Sequence, residues 1–151
     1  MEIKFIEIKE KDSQAILDMM ADFNAIDNYP FDRQKCLENL DILILNKHLG
    51  RIWMIQAEDA LAGYIVLTFG FSFEYKGRMA MIDEFYIIEN YRNLGIGRKT
   101  MEFMQEKAAE LGVKTILLEV ENHNEKAKRL YFKQGYSGKD RSLLTKSLKN
   151  S

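Results

Sequence analysis

The chain has 151 residues, 46% hydrophobic and 30% charged, with a formal net charge of −1. That length can bury a sizeable core, and that balance excludes a disordered chain and leaves no basic footprint for nucleic acid or an anionic membrane. A single cysteine, Cys36, excludes an intrachain disulfide and any multi-cysteine metal site, and His48 and His123 lack ligand spacing, so no metal is expected.

In chain order, the alternation of "MEIKFIEIKEK" predicts a strand over residues 2–8 with Ile3, Phe5 and Ile6 turned inward, not the apolar core of a secretion signal. No apolar run long enough for a membrane span follows, and a cytoplasmic location is expected. Asp12 or Ser13 is placed to cap a helix whose Ile16, Met19, Met20 and Phe23 recur at helical spacing. "NYPFD", with the only proline, interrupts the pattern before a second helix carrying Leu37, Leu40 and Ile44 on one face. "RIWMIQAE" and "AGYIVLTFGF" read as strands joined by a turn at "EDAL". The loop "EYKGR" then leads to a further strand, "MAMIDEFYII".

From residue 96 the character changes. "IGRKTMEFMQEKAAEL" predicts a helix with Met101, Met104, Ala108 and Leu111 on one side and Gly112 as its stop. "VKTILLEV" reads as a strand, "NEKAKRLYFKQ" as a helix closed by Gly135, and "YSGKDRSLLTKSL" as a last short hairpin. Strand, helix and strand between 79 and 120 form one parallel unit with a right-handed crossover. The expectation is a single mixed α/β domain over 1–151, without repeats or linkers.

The strand at 79–88 is apolar on both faces and therefore interior, yet it holds two carboxylates. Strict alternation puts Met79, Met81, Asp83, Phe85 and Ile87 on one face and Ala80, Ile82, Glu84, Tyr86 and Ile88 on the other. The two acids share a face only if a bulge intervenes. A carboxylate buried there must be paired, protonated or functional.

Directly after it, "YRNLGIGRKT" places Gly95 and Gly97 at a strand-to-helix junction. Such a junction suits a phosphate, because the first helical turn has unsatisfied N–H groups and the positive end of the dipole. A Walker loop is excluded, since no glycine stands at its first position and Arg98 follows Gly97. A dinucleotide fingerprint would have Thr100 where Gly or Ala is needed, with Glu119 as the acidic residue further on. It would also need several parallel units that the remaining chain is too short to supply.

A third pattern uses more of the chain. Arg92-x-x-Gly95-x-Gly97 opens the helix, and Asn124, Ala127, Leu130 and Tyr131 form N-x-x-A-x-x-L-Y before Gly135 and Tyr136. Together these resemble the GCN5-related N-acetyltransferase (GNAT) superfamily, and "IDEFYIIENYRNLGIG" is similar to its spermidine/spermine acetyltransferase branch. The resemblance implies a three-layer α/β fold with about four helices and a mostly antiparallel sheet of six to seven strands containing the parallel unit.

It further implies transfer of acetyl from acetyl-CoA to a primary amine by direct attack in a ternary complex. Arg92, Asn93, Leu94, Gly95, Ile96, Gly97 and Arg98 would bind the pyrophosphate, and Lys99 would add charge. The backbone of Phe85, Tyr86 and Ile87 would pair with the pantetheine arm, as would Asn124 and Ala127. Asp83 matches the position of the branch's base, with Glu84 the second choice, and Tyr131 matches the general acid. Asp22, Asp27, Asp32, Glu74, Tyr29 and Tyr75 would suit a small cationic acceptor, a polyamine or amino-acid-like amine. Arg129 and Lys133 are in reach of the ribose phosphate, and a homodimer is implied. A non-catalytic acyl-CoA-binding or regulatory module, and acetylation of protein lysines or N-termini, are the competing readings.

Overall fold

The computed structural model describes residues 1–148, and its contacts divide the chain into two units, Met1–Glu119 and the segment from Val120 onward. The first contains β1 (Ile3–Glu7), α1 (Ser13–Ile26), α2 (Arg33–Leu45), β2 (Gly50–Ala57), β3 (Ala60–Ser72), β4 (Gly77–Ile87), α3 (Ile96–Glu110) and β5 (Thr115–Leu118). The second contains α4 (Glu125–Lys133).

The strands form one sheet in the order β1-β2-β3-β4-β5, antiparallel except for the parallel pair β4–β5. Two helices cover one face. Ile16, Leu17, Met19 and Met20 of α1 and Leu40 of α2 pack on Ile52, Met54, Tyr64, Val66 and Tyr86. α3 covers the opposite face. There Phe103 stacks on Phe5 at 4.2 Å between ring centroids and meets Trp53 edge-on at 5.6 Å. Ile96 joins Ile55, Ala57 and Ala62 on that side. Met101, Met104 and Ala108 are buried as their spacing predicts. So is Thr100, whose hydroxyl donates to the Ile96 carbonyl at 2.8 Å and so stays satisfied.

The turn at "EDAL" is a two-residue hairpin in which Glu58 and Asp59 both have positive φ, the arrangement that matches strand twist. Asp12 does not cap α1. Its Oδ2 instead accepts from Lys9 N–H at 2.9 Å in the short turn Glu10–Asp12 ahead of the helix.

Two expectations are corrected. Ile6 is 38% exposed, because Ile3 and Phe5 take the covered face of the edge strand and Ile6 must point the other way. The sheet has five strands, not six to seven, and no hairpin forms over 136–148 among the described residues. Leu143 and Leu144 are neighbours and would point to opposite faces of a strand, with Lys139, Asp140 and Arg141 just before them. No apolar face results, all of Leu143, Leu144 and Leu148 are exposed, and a bare two-stranded ribbon is marginal.

Candidate functional site

β4 organises the site, and its pairing changes halfway along. With β5 it pairs only from Met79–Thr115 to Ile82–Leu118, so beyond Ile82 that edge has no neighbouring strand among the described residues. Ile88 N–H donates to Ala62 on β3, so by alternation Phe85 and Ile87 turn their backbone groups toward the open edge. The Ile87 carbonyl is already engaged there by Arg92 Nε at 2.8 Å.

On the β3 side the register slips. Val66 pairs with Glu84 but Leu67 pairs with Ile82, leaving Asp83 as the extra residue of a β-bulge. Met81 and Asp83 already point to the face covered by α1 and α2. The inserted residue then sends Glu84 and Tyr86 to that same face, where Val66 and Tyr64 lie opposite them. The bulge therefore brings both carboxylates to one side of an interior strand, the condition strict alternation forbade. Gly63 makes the close approach of β3 to this part of β4 possible, since a Cβ there would lie 2.1 Å from the Tyr86 carbonyl oxygen.

Each acid has a distinct setting. Asp83 reaches solvent, and the surrounding protein nevertheless desolvates it enough to raise its carboxyl above the usual range. Glu84 is half-buried. Burial pushes its carboxyl up, the Asp83 charge adds to this, and the Tyr64 hydroxyl opposes it by donating to Oε1 at 2.7 Å. Tyr64 is fully buried, with Phe23 edge-on to it at 6.4 Å and Tyr86 tilted at 6.0 Å. Burial and the Glu84 charge hold its phenol far above the ordinary value, so it stays protonated and keeps the proton it donates. Cys36, on α2, has its thiol pushed up by burial and by the charges of Glu84 and Asp32. It remains a neutral thiol at neutral pH.

Sequence reading missed Tyr64. The available signal was a tyrosine in the middle of the apolar run "AGYIVLTF", since a buried phenol requires a hydrogen-bond partner.

The loop between β4 and α3 is a strand-to-helix junction with Gly95 at the junction and Gly97 inside the helix. Asn93 and Gly95 both adopt the left-handed region, at φ 65° and 82°, on either side of the exposed Leu94. Gly95 is the residue that caps α3 and has no side chain with which to do so. The first-turn N–H groups of Ile96, Gly97 and Arg98 therefore lack a cap from it. Arg92 is partly committed to the Ile87 carbonyl, with its guanidinium 5.7 Å from the Tyr86 ring centroid. Arg98 pairs with Glu102 of its own helix at 2.9 Å.

In the second unit, Asn124 caps α4, its Oδ1 accepting from Ala127 N–H at 3.1 Å. This fixes the amide and leaves its Nδ2 donors for another partner. Tyr131, half-buried, packs edge-on against Tyr136 at 6.1 Å, and burial raises its phenol above the ordinary value. Tyr136 is pushed up to about 12 by burial and by its neighbour.

The residues expected around an acceptor divide. Asp32 is spent as the cap of α2, accepting from Lys35 N–H at 3.1 Å, while Asp22 sits close enough to Tyr86 for its charge to raise that phenol. No helix among the described residues is long and apolar enough to cross a membrane, and none of their side chains gather into a metal-binding group.

Comparison with known proteins places this arrangement. A family model described as "Acetyltransferase (GNAT) family" matches residues 16–136. A protein named as an uncharacterized N-acetyltransferase in the pepI 3′ region of Lactobacillus delbrueckii subsp. lactis is 27% identical over 146 residues, covering 88% of this chain and 83% of its own. An integron cassette protein from the mobile metagenome of Cole Harbour Salt Marsh superposes with a TM-score of 0.86 at 26% identity, covering 97% of this chain and 91% of that one. A predicted acetyltransferase from Clostridium acetobutylicum, whose structure was determined with acetyl-CoA, shares the fold with a TM-score of 0.81 at 15% identity, over 96% of each chain.

Proposed function

The chain belongs to the GNAT acetyltransferase family, and from that premise we propose that it is an N-acetyltransferase acting on a small primary amine. The observation that carries the reading is the bulge at Asp83, which turns two carboxylates to one face of β4, an interior strand where an unpaired charge is costly. The residues present fit coenzyme A. The first turn of α3, which its cap residue Gly95 leaves without a side-chain acceptor, would offer N–H groups to a pyrophosphate, and the edge of β4 beyond Ile82 would offer main-chain groups to an amide-bearing arm. Residues 92–98 would hold the pyrophosphate, and the main-chain groups of Phe85 and Ile87 would hold the arm, with Tyr86 between them turned toward β3; Asn124 and Ala127 at the start of α4 would be further cofactor contacts. Acetyl-CoA, when bound, supplies the acetyl group as a thioester.

The protein's own groups supply proton transfer. An alkylammonium has a pKa near ~10, so the amine must lose a proton before it becomes a nucleophile. Glu84 is the base that takes it, directly or through water. Both acids have raised carboxyls, but only Glu84 is fixed by a short hydrogen bond, whereas Asp83 reaches solvent. Asp83 adds negative charge that favours a cationic acceptor, as does Asp22. The amine nitrogen would bond to the acyl carbon as the carbon–sulfur bond breaks, its second proton leaving to water, while Tyr131 would give a proton to the departing sulfur and be reprotonated from solvent. Its raised phenol pKa keeps it protonated at neutral pH, as an acid must be. Transfer is direct: Cys36, the only cysteine, is a neutral thiol and a poor nucleophile.

Among acceptors, polyamines and amino-acid-like amines suit the acid-rich face best, in line with the likeness of "IDEFYII" to the spermidine branch. The test is thiol release from acetyl-CoA across a panel of amines, for wild type and Tyr131→Phe. Turnover reduced about a hundredfold in the variant supports the enzyme and its acid. Acetyl-CoA binding without turnover on any amine would favour a non-catalytic module instead.

A further inference from the structure

We infer that Tyr64 is a positioning residue, holding one oxygen of the Glu84 carboxylate so that the other faces the acceptor. The inference rests on the reading of Glu84 as the base.

Tyr64 has no freedom to do otherwise. It is fully buried in the middle of β3, directly opposite Tyr86 in the ladder, with its ring held by Phe23 from α1 and by Tyr86. Its hydroxyl reaches Glu84 Oε1 at 2.7 Å, the distance of a strong O–H···O⁻ bond. The carboxylate is one residue past the bulge, and this bond fixes its rotation. With Oε1 occupied, Oε2 is the oxygen left to accept a proton from an amine.

The other groups that bear on this neighbourhood are Asp83 and Tyr86 from β4 and Cys36 from α2, together with Asp22 of α1, Glu89 and Arg92, whose charges act on Tyr86. Arg92 is the one cation among them, and it bears on Tyr86, not on Glu84. The Tyr64 hydroxyl is therefore the group that favours the charged form of Glu84, against burial and the Asp83 charge. Without it the carboxylate would hold its proton to higher pH and rotate freely.

The experiment follows the Glu84 carboxyl by ¹³C NMR titration in wild type and Tyr64→Phe, with Glu84→Gln identifying the signal. Tyr64→Phe keeps the ring and its packing, and the expected result is a rise of the Glu84 midpoint by about one to two pH units. An unchanged midpoint in a folded variant overturns the inference.

Thiol release with spermidine and saturating acetyl-CoA supplies a second readout. The acid limb of the rate profile should move up with the midpoint, while the KM for acetyl-CoA stays the same. In a Glu84→Gln background, Tyr64→Phe should cost less than about twofold further, since residues acting as one unit are not additive. Independent, multiplying losses would mark a merely structural tyrosine.

The two readings fail differently. A Glu84→Gln variant with the wild-type rate removes the base assignment whatever Tyr64 does. An impaired Glu84→Gln beside an unaffected Tyr64→Phe removes only the positioning role. Should Tyr64→Phe not fold, wild type suffices: the Tyr64 hydroxyl proton should exchange slowly and shift as Glu84 titrates, and a signal indifferent to pH overturns the inference.

Discussion

Replacing Gly63 by alanine tests the geometry of β4 with a single methyl group. The new Cβ would stand 2.1 Å from the Tyr86 carbonyl oxygen, 3.2 Å from its carbonyl carbon and 3.1 Å from the Ile87 Cα. All three are main-chain atoms, so no flexible side chain can yield. Relief requires β3 and β4 to part by about 1 Å, and overpacking of this kind costs about 1–3 kcal/mol. For a chain of this size that is a fall in Tm of roughly 2–12 °C.

The same movement displaces Phe85–Ile87, the backbone on which the pantetheine arm is expected to lie, and shifts Glu84 against Tyr64. A misplacement of about 1 Å can cost on the order of a hundredfold in rate. Urea unfolding gives the stability change and thiol release gives kcat/KM. Gly138→Ala is the control, because nothing lies within 4 Å of the Cβ it would add. Its effect should stay within about 0.5 kcal/mol. A Gly63→Ala protein as stable and as active as the control would refute the close approach and the description of β4 built on it.

Two further outcomes concern the loop and the acids. Gly95→Ala meets no atom within 4 Å, so its cost is the strain of a side chain at φ 82°, about 1–2 kcal/mol. Thermal unfolding should detect it and the KM for acetyl-CoA should rise; no change in either would count against this conformation. Glu84 has a folded-state carboxyl raised above its unfolded value, so its contribution to stability is fully present below the unfolded pKa and lost as pH rises through the folded one. At neutral pH the charged group is thus a net burden, and Glu84→Gln, which still offers Tyr64 an acceptor, should unfold at a higher temperature than wild type while losing activity. The advantage should vanish in acid, and a lower Tm at pH 7 would contradict the assigned direction.

The sequence disclosed most of what local pattern controls. The stripe of α3 from Met101 to Ala108, the stop at Gly112 and the left-handed glycine at 95 follow from period, caps and dihedral needs. The interior place of β4 follows from its apolarity on both faces. Other features depend on partners distant in sequence. The slip at Asp83 arises from how β3 pairs with β4, and neither strand alone announces it, although the two adjacent acids made a bulge worth naming. A tyrosine inside the apolar run of β3 signals that a partner exists, but that the partner is Glu84, twenty positions away, no local pattern discloses. The hairpin expected at 136–148 failed because turn residues and a few leucines do not make a strand without a face to bury. Ile6 failed because an edge strand covered on one side leaves its other face in solvent.

Trp53 is the only tryptophan in the chain, and it lies against Phe103 on the underside of α3, the helix that begins at the glycine loop. Its fluorescence is therefore a built-in optical gauge of how that helix is seated. A ligand that tightens the first turn of α3 should be visible as a change in emission without any attached dye, and so should the early loosening of the helix on heating. A coenzyme A titration followed by that emission therefore needs neither a label nor an acceptor amine.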